Sequence, residues 1–260
     1  MQRTPSASTS PPHPLPHSQS PIESGLPFSF GNPVPLSTRS SVMLWAASAI
    51  AFALLLAVPR WLPDQWGGAL AALLFVGVQW AGLRWAVGPA WVALFRRPRW
   101  RDVALGLAAV PLVIGLPALV AAYGLGMSHL SANASIDAVA DLSPAQLVGR
   151  FALVAVQLLG EELVTILPLL ATVALLHRAG MPARWAVALA WMVTALVFGA
   201  LHLPTYQWHL GQALLVIGAA RLALTAVFIY TRNLWASTIA HIANDWTVMA
   251  FVLASTRTIA

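Results

Sequence analysis

The chain has no cysteine. Disulfides, thiolate metal sites and cysteine nucleophiles are therefore excluded, and any catalysis rests on Glu, Asp, His, Ser, Thr or Arg. Lysine is missing too: all 14 basic residues are Arg, which fits a GC-rich bacterial coding sequence by association only. Charge itself is scarce. Only 8% of the 260 residues are charged and 59% are hydrophobic, whereas about a quarter of a soluble domain is charged. That balance speaks against a soluble domain and reads as an all-α, polytopic membrane protein. The net charge of +6 then bears on topology, and nucleic acid is not an expected partner. No signal peptide is read at Met1, and no internal repeat marks an inverted-repeat transporter.

Residues 1–41 are Pro- and Ser-rich without apolar periodicity, as in SPPHPLPHSQSP, and read as a disordered tail. The transmembrane domain is expected over 42–254, with its motif-bearing core at 145–250 and a short tail at 255–260. Seven apolar segments, at 42–58, 67–85, 103–125, 145–176, 183–203, 211–230 and 234–254, are judged against the ~20 residues needed to span a bilayer. The expected architecture is a bundle of about seven (six to eight) helices around a polar intramembrane cavity. The first segment is read as an uncleaved signal anchor. Trp61, Trp66, Trp85, Trp100, Trp185, Trp208 and Trp235 fall near segment ends, as an interfacial belt requires. Arg96, Arg97, Arg99, Arg101, Arg178, Arg184 and Arg232 fall in alternate loops, and Asp64, Asp137 and Asp141 in the others. The positive-inside rule then predicts a multi-pass protein of the cell (inner) membrane with a cytoplasmic N-terminus and an external C-terminus.

Only eight residues are acidic, and two of them, Glu161 and Glu162, stand side by side in LLGEELVTILPLL. A charge in hydrocarbon costs roughly 3 to more than 10 kcal/mol, so intramembrane acids default to function over packing. As neighbours on a helix they point about 100° apart and cannot share one role. His202 ends the fifth segment in FGALHLP, one turn after Phe198. His241 and Asp245, one turn apart in WASTIAHIANDW, project from one helix face, with Asn244 out of phase. Arg221, mid-segment in AARLALTAV, needs an acidic partner, and the acids at membrane depth are Glu161, Glu162 and Asp245. Thr165 is a further candidate cavity hydroxyl, whereas His209 and Gln212 are assigned nothing. Glu and His on three separate apolar helices suit water activation, with a carboxylate as base and His assisting or holding a metal.

Glu161-Glu162, Phe198-x-x-x-His202 and His241-x-x-x-Asp245 together resemble the EExxxR, FxxxH and HxxxN/D motifs of the CPBP family. That family comprises intramembrane proteases, including the type II CAAX prenyl endopeptidases, and bacteriocin-immunity relatives. YTRNLWASTIAHIAND also looks like the family's approach to its third motif. The resemblance implies an endopeptidase of membrane-embedded or lipid-anchored peptides, acting within the lipid bilayer. Glu161 would be the general base, His202 its helper or a metal ligand, and His241 with Asp245 an oxyanion or metal site. Family members are described both as metalloproteases and as metal-independent glutamic proteases. Zinc or another divalent metal held by Glu161, His202, His241 and Asp245, or no cofactor at all, are thus both expectations.

One position departs from the pattern: Ile166 stands where the family has Arg. Arg221 is expected to supply the missing charge to Glu162; otherwise the chain is a catalytically silent relative acting in binding or bacteriocin self-immunity. A proton-coupled transporter would require repeats and polar residues lining several helices. If all segments simply span, His202 lies near the outer face, Glu161 near mid-membrane and His241 toward the inner third. A common site then requires a kinked or re-entrant fourth or sixth segment, with Pro168 as the break.

Overall fold

A computed structural model describes residues 25–62, 65–126, 128, 130–133, 139 and 142–259, of which 65 and 256–259 as backbone only. Among these residues the fold is all-α, with seven α-helices and no strand. They are α1 (Thr38–Trp61), α2 (Gln65–Val87), α3 (Trp100–Val120), α4 (Pro144–Arg178), α5 (Ala183–Leu201), α6 (Gly218–Thr231) and α7 (Leu234–Ile259). The stretches containing α1 to α6 are long and apolar enough to cross a membrane, and the chain is a multi-pass membrane protein. α7 is not among these six; His241, Asn244 and Asp245 lower its hydropathy. It also runs helical to Ile259, past the expected end at residue 254.

The helix boundaries follow from local chemistry. Ser37 caps α1 by accepting the Ser40 N–H at 3.0 Å. Ser143 and Gln146 form a capping box on α4, with the Ser143 N–H donating to Gln146 Oε1 at 2.9 Å, and Pro144 takes the first helical position, where its missing N–H does no harm. α4 ends where Gly180 turns to a φ of +92°, a backbone conformation open to glycine. Proline does not interrupt these helices: α3 runs through Pro111 and Pro117, and α4 through Pro168. Trp61, Trp66, Trp85, Trp100, Trp185 and Trp208 are exposed, whereas Trp235 packs edge-on against Phe95.

α4 lies at the centre, touching α1, α2, α5 and α7, while α3 covers α6 and α7. A stretch of π-helix, Gln212–Ile217, leads into α6. There Gly199 of α5 lets the backbone carbonyl of Ala213 approach so closely that a Cβ would collide with it.

Two expectations require correction. The part of the expected tail at residues 25–37 packs against the bundle: Leu26, Phe28 and Leu36 are buried in the same cluster as Leu170 and Phe228. Composition hid this because a few apolar residues among prolines carry no period. The expected disorder of residues 1–24 lies outside the described residues. The second correction concerns depth. No break at Pro168 is needed, because α4 is 35 residues long, about 52 Å at the ~1.5 Å rise per helical residue. Glu161 is about 25 Å along α4 from Arg178, and His202 about 28 Å along the returning α5 from Ala183, so the two are level. His241 is only about 10 Å from Leu234. α4 therefore overshoots the start of α7, and the 25–37 segment covers the overshoot: Ser29 Oγ donates to the Leu170 carbonyl at 3.2 Å and Arg178 Nε to the Leu36 carbonyl at 3.1 Å.

Candidate active site

The two glutamates divide as their 100° offset requires. Glu162 is fully buried and faces α6 and α7. Arg221 donates to it bidentately, Nη1 to Oε1 at 2.6 Å and Nη2 to Oε2 at 3.0 Å. Arg221 is itself wholly buried, donates Nε–H to Thr225 Oγ1 at 3.1 Å, and lies 5.2 Å from the Phe198 ring centroid. The guanidinium thus has a paired charge, a hydroxyl and an aromatic face, the conditions under which a buried Arg is tolerated. His241 Nδ1 donates to Glu162 Oε1 at 2.9 Å. Arg221 occupies the place expected of the missing charge, while Ile166 packs fully buried among α4's apolar neighbours.

Glu161 faces the other way, into open space. Gln157 Nε2, one turn earlier, donates to its Oε1 at 3.0 Å. Its Oε2 lies 3.9 Å from His202 Nε2 and 3.8 Å from His241 Nε2. Both separations are too long for direct hydrogen bonds, and short enough for one water seated beside the three atoms in the cavity to reach them all. His202 Nδ1 is 2.9 Å from the Phe198 carbonyl. A carbonyl only accepts, so Nδ1 carries the proton and Nε2 presents a lone pair in neutral His202. The same reasoning through Glu162 leaves Nε2 of neutral His241 as an acceptor. Asp245 Oδ1 lies 3.9 Å from His241 Nε2 and accepts from Asn244 Nδ2 at 2.9 Å. Phe198 shields the pair from the α5 side, its ring 4.5 Å from that of His202. Thr165 is not a cavity hydroxyl, since it donates to the Glu161 backbone carbonyl at 3.1 Å.

These groups line a cavity of about 410 Å³ between α3, α4, α5, α6 and α7. A second cavity of about 240 Å³, walled by Phe52, Leu55 and Phe75, meets the first at Arg150, Gln157, Glu161 and His202. Two imidazole nitrogens and two carboxylates are the donor chemistry of a divalent metal site. As placed, they are not gathered about one centre, and among the described residues no three such groups are spaced to hold an ion.

Several residues that line the cavities lie outside the three motifs. Arg150, Val154, Gln157 and Glu161 share one helix face, and that spacing in an apolar run was a usable signal. Tyr206 and Asn133 carried none, because their places depend on loops. The Gln212 amide holds Ser131 at both ends, accepting its N–H at 2.8 Å and donating to its carbonyl at 2.9 Å.

Fold and site together define the class: a multi-pass helical membrane protein with a buried acid–histidine site. Residues 143–247, which contain all three motifs, match the family model described as Type II CAAX prenyl endopeptidase Rce1-like. The matched stretch is thus similar to the CPBP intramembrane proteases, whose motifs it resembles, and the match supports a relationship to CAAX-type proteases in general. No curated protein and no solved structure matches the chain.

Proposed function

We propose that the protein is an intramembrane endopeptidase that hydrolyses a peptide bond of a membrane-embedded or lipid-anchored substrate through water activated by Glu161. The observation that carries this reading is the Glu161 carboxylate facing two imidazole Nε2 atoms at 3.8 and 3.9 Å in a cavity. Glu161 takes a proton from water as the oxygen attacks the carbonyl carbon, and returns it to the leaving amine. His202 and His241 orient the water. Glu162 and Arg221 position His241 and do not touch the reacting atoms. The protein would lie in the inner membrane with its N-terminus in the cytoplasm, as the Arg distribution suggests.

The test is cleavage of a panel of membrane peptides by purified protein, beside Glu161→Ala and His202→Ala, with and without chelator. Turnover lost in both variants supports the reading, and loss with chelator assigns a metal to the site. Absence of turnover in a folded parent favours a silent binding or immunity-type relative, the reading that Ile166 in place of Arg motivates.

A further inference from the structure

Peptide hydrolysis needs a hydrogen-bond donor where the carbonyl oxygen becomes anionic. The motif residues supply none readily. Ionised Asp245 only accepts, and Asn244 already directs an amide hydrogen to it. The Gln157 amide is bound to Glu161, and Arg221 is occupied by Glu162 and Thr225 behind Phe198. Nδ1 of each imidazole is committed, to the Phe198 carbonyl or to Glu162.

Tyr206 is differently placed. It sits on the turn after α5, is only 8% exposed, and lines the larger cavity together with Glu161, His202 and Asp245. Its ring stacks near His202, with centroids 6.5 Å apart and planes at 28°. Its hydroxyl oxygen accepts from Asn133 Nδ2 at 3.3 Å, an arrangement in which the phenolic hydrogen is directed elsewhere. The backbone is bent to hold this ring inward. Gln207 and Trp208, neither of them glycine, have φ of 52° and 63°, conformations costing roughly 1–2 kcal/mol each, and Trp208 is turned outward. Burial raises the Tyr206 phenol above its ordinary range, and nearby Asp245 and Glu161 add to this. The group is therefore a protonated donor at neutral pH.

We propose that Tyr206 is a further catalytic residue of the hydrolysis proposed above, donating its phenolic hydrogen to the scissile carbonyl oxygen in the transition state. The inference rests on that reading. Water adds to the carbonyl carbon, its proton passes to Glu161, and the carbonyl π pair moves onto the oxygen held by Tyr206. On collapse the C–N bond breaks and the amine leaves with the proton from Glu161.

The experiment uses full-length protein reconstituted in phosphatidylcholine vesicles with a panel of quenched-fluorescent transmembrane peptides. Tyr206→Phe is expected to lower kcat by about 10²–10³-fold, the effect of removing one such donor, with KM and Tm close to the parent's. Asn133→Ala removes the same hydrogen bond but keeps the phenol, and is expected to lower kcat by no more than about tenfold. A parent-like kcat in Tyr206→Phe, an equal loss in Asn133→Ala, or a loss carried by Asn244→Ala instead overturns the proposal while leaving the protease reading intact. A folded parent that cuts no peptide overturns both.

Discussion

Glu162 takes its countercharge from Arg221 on another helix, while Ile166 stands one turn after it on its own. The family's Arg would sit one turn after Glu162 on the same helix; here the guanidinium reaches Glu162 from α6, at 2.6 and 3.0 Å. Removing one partner of a buried pair leaves an uncompensated charge, which costs roughly 3–5 kcal/mol. Arg221→Ala should therefore lower the thermal midpoint sharply in detergent. Arg221→Ala combined with Glu162→Ala should cost less than the two single losses added, because neither orphan charge remains. Additive losses in that cycle would mean that the pair is not coupled. Glu161 predicts the opposite pattern. Its carboxylate takes one side-chain hydrogen bond, from Gln157, and otherwise faces the cavity. Glu161→Gln should lower kcat by about 10²–10⁴-fold, the range for a lost general base, with an unchanged melting curve. Retained activity would remove Glu161 from the chemistry.

At the scale of elements, the sequence placed the helices to within a few residues, since each long apolar run had one way to satisfy its backbone in lipid. The motif spacing also put Glu161, His202, His241 and Asp245 on the cavity-facing sides, because helical periodicity is local. What it left open was how far one helix slides along another, which contacts distant in sequence decide. Gly199 is one of these contacts. It admits the Ala213 carbonyl of the π-helical stretch, and a side chain there would press α5 away from α6. Gly199→Val is expected to reduce both the thermal midpoint and activity, since α5 carries Phe198 and His202. Gly149, in the exposed first part of α4, meets nothing within 4 Å of an added Cβ. Gly149→Ala should stabilise by about 0.5–1 kcal/mol through helix propensity. Melting curves of the two variants check the contrast, and a Gly199→Val protein with parent stability would dispose of the close-approach account.

The whole molecule is organised by the overshoot of α4. A helix of 35 residues cannot be matched by its shorter neighbours, so aligning Glu161 with both His202 and His241 leaves its C-terminal turns extending beyond the start of α7. Those turns are apolar and need cover. Residues 25–37 supply it, with Phe28 fully buried and hydrogen bonds from Ser29 and Arg178 joining the segment to α4. No local pattern announced this role, because a single aromatic in a proline-rich stretch has neither a helical nor a strand period. The consequence is that stability depends on a segment outside the helices and remote in sequence from the site. Removing a buried Phe side chain costs about 3–5 kcal/mol when the surroundings do not collapse. Phe28→Ala should therefore lower the melting midpoint of the whole bundle, whereas Val42→Ala on the exposed face of α1 should leave it within the scatter of ordinary surface substitutions. Glu161 lies on the far side of the Leu170 contact from Arg178, so below the new midpoint Phe28→Ala should retain KM and kcat. A variant that loses activity without losing stability would instead tie residues 25–37 to the chemistry.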